Sequence, residues 1–227
     1  MTKNTTVIAI DGAAASGKST LGRLLAERLG YLYFDTGVMY RAVTSVALQR
    51  GISIDDEAAV TALVEHLRIR VTPPTRLDGR QYTVYADGMD VTWAIRQPAV
   101  DAVVSIVSAY PGVRQALTIQ QRDTAAGQDV VMVGRDIGTV VMPDASLKIY
   151  LHASVEERAR RRHQEIRARG EDADYEEVFA SMRHRDEIDS HRTHAPLRPA
   201  GDANLMNTDG LSADEVLTGV LLLLDEP

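Results

Sequence analysis

Short apolar runs alternate along this chain with longer segments whose apolar residues recur every three or four positions. Val7-Ile8-Ala9-Ile10 reads as a buried strand, and Leu21, Leu24, Leu25 and Leu29 set a helical stripe after it. Tyr31-Leu32-Tyr33-Phe34 predicts a second strand. It leads into an amphipathic helix from Gly37 to Arg50 (Met39, Val43, Val46, Ala47) that Gly51 stops. Asp55 to Leu67 predicts another helix, acidic in its first turn and striped by Leu63, Val64 and Leu67. The rhythm then changes. Arg68–Thr72, Arg80–Ala86 and Met89–Thr92 are short, Asp78-Gly79 and Asp87-Gly88 are turn signals, and Pro73-Pro74 rules out a helix. A small antiparallel meander is therefore expected inside an otherwise alternating chain. Two helices opened by Pro98 and Pro111 follow, then apolar strands at Asp129–Val133 and Leu147–Leu151. Ser154-x-x-Glu157 and Ser212-x-x-Glu215 read as capping boxes of two late helices, with a last strand at Ala203–Met206 between them. Strand–helix alternation implies an α/β fold, a three-layer parallel sheet with its ligand site at the carboxyl edge.

Composition narrows the class. The 227 residues suffice for one generous domain with insertions or two small ones. Cysteine is absent, which excludes disulfides and thiolate metal sites. Met1-Thr2-Lys3-Asn4 is expected to enter a strand at once, leaving no signal peptide, and Val220–Leu224 is too short to span a bilayer, so a cytoplasmic location without membrane contact is expected. The net charge of −7 and the few aromatics argue against a nucleic-acid partner.

Residues 12 to 19, Gly-Ala-Ala-Ala-Ser-Gly-Lys-Ser, match G-x-x-x-x-G-K-[ST] between a strand and a helix. Chance produces this pattern in roughly one chain in a hundred of this length. Gly12 and Gly17 let successive N–H groups surround phosphate oxygens, and the helix start adds its positive end. Lys18 supplies charge to the β- and γ-phosphates, and Ser19 offers a hydroxyl to magnesium. The predicted ATP site is Gly12, Ala13, Ala14, Ala15, Ser16, Gly17, Lys18, Ser19 and Thr20, with Mg2+ as cofactor.

Other charged residues fall at strand ends or in one late segment. Asp35-Thr36-Gly37-Val38-Met39-Tyr40-Arg41 starts where the second strand ends. Arg41 either grips a second phosphate or is a solvated arginine on a capped surface helix. Val130 to Asp136 is a buried strand ending Gly134-Arg135-Asp136, which serves the site or forms a structural ion pair. Ten arginines lie between Glu156 and Arg198 among many acids, a pattern of mixed-charge exposed helices. Gly170 between the helices also suggests a mobile flap whose arginines, Arg161 and Arg162 among them, repel one another until ATP arrives. Arg185, Asp189 and Arg192 are spaced to share a helical face. The six histidines show no metal spacing.

Read together, these motifs resemble the bacterial cytidylate kinases, in the nucleoside monophosphate kinase group. The likeness runs from Ile8 to Leu222. It rests on Ile10-Asp11-Gly12 through Ser19, Asp35 to Arg41, Tyr110-Pro111-Gly112-Val113-Arg114, Gly134-Arg135-Asp136-Ile137-Gly138-Thr139-Val140-Val141, Pro143-Asp144-Ala145, and Arg185-Asp186 through Asp189 and Arg192 to Leu197. The resemblance implies transfer of the ATP γ-phosphoryl group to CMP or dCMP, with nucleotides as the only partners and a monomeric enzyme. It implies a kinase core at 1–35 and 129–227 with an arginine-rich lid near 158–171. Residues 36–128 would form the monophosphate-binding region, including a β insertion near 68–96. Carried over, Thr36, Arg41, Ser105, Arg114, Arg135, Asp136, Arg185 and Asp189 would contact CMP, with Arg41 and Arg135 on its phosphate. Lys18, Arg135, Asp136 and Arg192 would serve catalysis. The loop departs from the family's usual Asp-Gly-Pro opening at Ala13, which bears on loop stiffness.

The base assignment has its own chemistry. Arginine only donates and ionised aspartate only accepts, so Arg114 with Asp136 complements cytosine and disfavours uracil. Asp136 could instead hold a magnesium-bound water. The acceptor phosphate, with a second pKa near 6, needs no general base. Binding should close the flap and the β insertion over the nucleotides. An adenylate- or shikimate-kinase-like enzyme and a nucleotide-driven switch are the competing readings.

Overall fold

The computed structural model describes residues 5–225; the expected entry of Met1–Asn4 into a strand lies outside them. In chain order the elements are β1 (Val7–Gly12), α1 (Lys18–Leu29), β2 (Leu32–Asp35), α2 (Gly37–Gln49), α3 (Glu57–His66), β3 (Ile69–Thr72), β4 (Thr83–Ala86) and β5 (Met89–Asp90). Then come α4 (Pro98–Val107), α5 (Pro111–Ala125), β6 (Val130–Gly134), β7 (Leu147–His152), α6 (Val155–Ala168), α7 (Tyr175–His191), β8 (Asn204–Asn207) and α8 (Ala213–Asp225). The chain falls into two compact units, one of residues up to Asp35 and from Gly127 onward, the other Thr36–Ala126.

The first unit holds a five-stranded parallel sheet in the order β2-β6-β1-β7-β8. β1 is central and buried along its whole length, as a strand covered on both faces must be. Ile8 and Ile10 of β1, Val131 and Val133 of β6, and Ile149 and Leu151 of β7 pack with Leu21 and Leu25 of α1 and Val216 and Val220 of α8. Parallel pairing brings the ends of all five strands (Gly12, Asp35, Gly134, His152 and Asn207) to one edge. Binding chemistry belongs at that edge. Among the described residues no helix is long and apolar enough to cross a membrane.

The second unit carries α2–α5 and an antiparallel sheet β3-β4-β5. Asp87 and Gly88 both have positive φ (48° and 81°), the geometry that closes a tight hairpin between Ala86 and Met89. Proline opens α4 and α5 where its missing N–H has no partner to lose.

The two capping boxes differ. At α8, Glu215 accepts from Ser212 N–H while its own N–H bonds Ser212 Oγ, a complete reciprocal pair. At α6, Ser154 Oγ caps Glu157 N–H, but the Ser154 N–H goes to Asp209, from the loop after β8. The Glu157 carboxylate is thereby free to hold Arg160 and Arg161.

Candidate active site at the carboxyl edge of the parallel sheet

The phosphate-type loop lies between β1 and α1 as the motif requires. Gly12 has φ 149°, and a Cβ there would stand 2.2 Å from the Leu151 carbonyl oxygen, so no other residue fits. Gly17 caps α1 in the left-handed region at φ 96°. Ala15 also has positive φ (59°), a strained setting for a residue with a Cβ. Two groups from elsewhere in the same unit brace the loop. Thr208 Oγ1 donates to the Ser16 carbonyl at 3.2 Å, and Arg158 Nη1 reaches the Ala14 carbonyl at 3.4 Å.

Lys18 folds back, donating to the Ala13 carbonyl and lying 3.4 Å from Ser16 Oγ. Burial and the nearby Arg135 push its ammonium down to about 7, with Arg185 adding to the effect and Asp35 and Asp11 opposing it. Lys18, Arg135 and Arg185 thus crowd three positive groups at the mouth of the loop. Ser19 Oγ donates to Asp35 Oδ2 at 3.0 Å, so the carboxylate at the end of β2 faces the hydroxyl expected to serve a metal. No cluster of three or more His, Cys, Asp or Glu side chains suited to a metal occurs among the described residues. The hard oxygens of Ser19 and Asp35 still suit magnesium, which takes most of its other ligands from phosphates and water.

β6 delivers Arg135 and Asp136 to the same edge. Arg135 Nε lies 2.5 Å from Asp189 Oδ2, and Arg192 Nη1 lies 3.5 Å from Asp189 Oδ1. Asp189 is buried and joins both guanidinium groups, so its carboxylate is already engaged with cations. α7 ends at His191, and Arg192 is extended (φ −63°, ψ 139°), so it does not continue the helical face shared by Arg185 and Asp189. It turns back to Asp189 and donates to the Ala195 carbonyl.

The expected repulsion among the α6 arginines does not occur. Arg158 is buried and bidentate on Asp186 (3.0 and 2.5 Å), Arg161 pairs with Glu157, Arg162 with Glu165, and Arg169 with Glu165. Acids one helical turn away neutralise most of them. Arg161 also donates to Thr208 Oγ1 at 3.2 Å.

In the second unit, Thr36 precedes α2 but makes no side-chain cap. Arg41 Nη2 lies 2.5 Å from Asp101 Oδ1 and Nη1 donates to the Ile95 carbonyl at 3.2 Å. Arg114, on α5, is buried, donates to the Ser108 carbonyl at 2.8 Å and lies 5.3 Å over the Tyr40 ring. Ser105, on α4, accepts the Ser108 hydroxyl with its carbonyl.

Three residues with site geometry were given no role from sequence. Asp35 and Thr208 stand at or just after strand ends on the active edge, a position that could have marked them. Asp11 is the third. It is buried, and its two oxygens accept the N–H groups of Ile137 and Gly138 at 2.7 Å each. Desolvation raises its carboxyl to about 6 against those two bonds, with the neighbouring Asp136 adding to the rise.

Comparison with known proteins gives the family. A cytidylate kinase of Chloroflexus aggregans is 55% identical over 214 residues, covering 94% of this chain and 91% of the relative. One from Herpetosiphon aurantiacus is 52% identical, with 96% and 93% covered. The crystal structure of an uncharacterized protein from Eubacterium ventriosum superposes with TM-score 0.51 at 11% identity, covering 98% of this chain and 100% of its own, a likeness of fold alone. The sequence profile described as cytidylate kinase matches residues 8–226. With that match and these relatives, the chain belongs to the cytidylate kinase family.

Proposed function

We propose that this protein transfers the γ-phosphoryl group of ATP to CMP or dCMP, giving CDP or dCDP. The observation that carries the reading is the crowding of Lys18 by Arg135 and Arg185 beside a phosphate-type loop. Positive charge gathered there from Lys18, Arg135 and Arg185 is neutralised when phosphates enter, so the site favours polyanionic ligands over water.

The loop amides from Gly12 to Thr20 would hold the donor triphosphate, with Lys18 bridging its outer phosphates and Arg161 and Arg162 released from Glu157 and Glu165 to meet it. Ser19 and Asp35 would hold Mg2+, which shields charge between the phosphates when bound. Arg41 and Arg135 would take the acceptor phosphate, Arg114 and Asp136 the cytosine edge, with Ser105, Thr36, Arg185 and Asp189 completing the acceptor contacts. Arg192 would steady the migrating group. The acceptor phosphate is already largely dianionic at neutral pH, so the residues have only to align two anions and neutralise them.

The test is an acceptor panel with ATP and magnesium. CMP and dCMP should drive ADP formation well, UMP poorly, and AMP, GMP and shikimate hardly at all. ADP formation independent of any acceptor would sink the proposal.

A further inference from the structure

We propose that Asp11 is a positioning residue for the phosphoryl acceptor: its carboxylate, by holding the Ile137 and Gly138 amides, fixes the aim of Arg135 and Asp136. The inference rests on the acceptor reading above.

Asp11 is the last residue but one of β1, immediately before the loop glycine. Ile137–Val141 is a single turn of π-type helix whose bonds begin at the Asp136 carbonyl, with Val140 and Val141 donating to it at 2.9 and 3.1 Å. The first amides of such a turn have no partner within it. Asp11 supplies both missing acceptors, one oxygen to each N–H, across 126 and 127 positions of sequence. The fit is close on the far side too, where a Cβ on Gly138 would meet the Lys148 side chain at 3.1 Å and Asp11 Oδ2 at 3.4 Å. One carboxylate thus ties the donor-binding strand to the two residues that follow β6.

The groups facing Asp11 come from three elements. Lys18 of α1 lowers its proton affinity, Asp136 raises it, and Tyr150 of β7 has its phenol raised by burial first and by Asp11 second. Lys148, whose stem packs on Gly138, commits its ammonium to Asp202. A protonated Asp11 has one oxygen left as a full acceptor, and its hydroxyl faces an amide donor. Acid therefore loosens the tie.

Asp11→Asn places an NH2 group against one of the two backbone donors, with nearly the same volume. Steady-state kinetics with saturating ATP, which keeps Lys18 charged, should show kcat/KM for CMP lower by on the order of 10- to 100-fold, the worth of one charged hydrogen bond. Most of the loss should appear in KM, while the Kd of a non-hydrolysable ATP analogue stays within about twofold. The pH profile adds a readout that general destabilisation would not mimic. Below about pH 6, log kcat/KM of the natural protein should fall with a slope of two, one proton for the CMP phosphate and one for Asp11, whereas Asp11→Asn should fall with a slope of one. A slope of one in the natural protein, an unchanged KM for CMP, or equal weakening of donor and acceptor overturns the inference and leaves the acceptor reading standing. Should Asp11→Asn fail to fold, the slope of the natural protein decides alone. A natural protein inactive on CMP removes both.

Discussion

Replacing Arg158 separates two roles for the arginines of α6, structural partner and phosphate ligand. Its guanidinium is about one-twentieth exposed and makes two bonds to Asp186, one from Nε to the Ala153 carbonyl at 3.0 Å, and a longer one to the Ala14 carbonyl. Removing one partner of a fully buried pair costs about 3–5 kcal/mol. Asp186 is a quarter exposed, so water can resolvate it, and the lower end applies. Arg158→Met should therefore destabilise by about 2–3 kcal/mol, a fall in Tm of roughly 5–10 °C for a chain of this size. Asp186→Asn should cost a similar amount. The double variant should cost little more than either single, because the charge it would strand is gone. Urea or thermal unfolding of the four proteins closes the cycle. Additive losses, or a single loss under about 0.5 kcal/mol, would refute the structural role.

Lys18→Met should abolish phosphoryl transfer and raise the Tm of the nucleotide-free protein. Burial lowers Lys18 from 10.5 to about 7, so the folded chain binds fewer protons than the unfolded one between those values and this group's contribution to stability rises with pH there. The gain from Lys18→Met should be largest at pH 6 and shrink towards pH 9; a Tm that does not move, or retained transfer, contradicts this. Asp136→Asn should narrow the preference for CMP over UMP, since an amide can donate as well as accept, measured as the ratio of kcat/KM values. An equal loss on both acceptors would assign Asp136 to a magnesium-bound water instead.

The elements were legible because each carries its own local signal. The period-2 and period-3.6 runs, the prolines at Pro98 and Pro111, and the Asp87-Gly88 turn depend on neighbours in sequence, and the structure places an element at each. The site was legible in its residues and less so in their partners. Arg41 with Asp101, Arg158 with Asp186, and Asp189 between Arg135 and Arg192 are pairings between distant positions, and charge pattern alone names no partner. The expected repulsion among the α6 arginines failed for that reason: the acids beside them were visible in the sequence, but which arginine Glu157 or Glu165 would hold was not. Asp11 was quoted only as part of a motif, because its bonds run to backbone amides that sequence does not display.

The strand order has a consequence for synthesis. β1 and β2 are made first but never pair; β6 lies between them. Both must wait until Thr36–Ala126 has been translated, on the order of 5–20 s at bacterial elongation rates. That intervening stretch is contiguous and can fold on emergence. The apolar run Val7–Ile10 meanwhile has no sheet partner on either side, a sticky strand during those seconds. A strand buried along its whole length in the folded protein is thus without a sheet partner on the ribosome, and the speed with which β6 and β7 arrive sets how long it stays so.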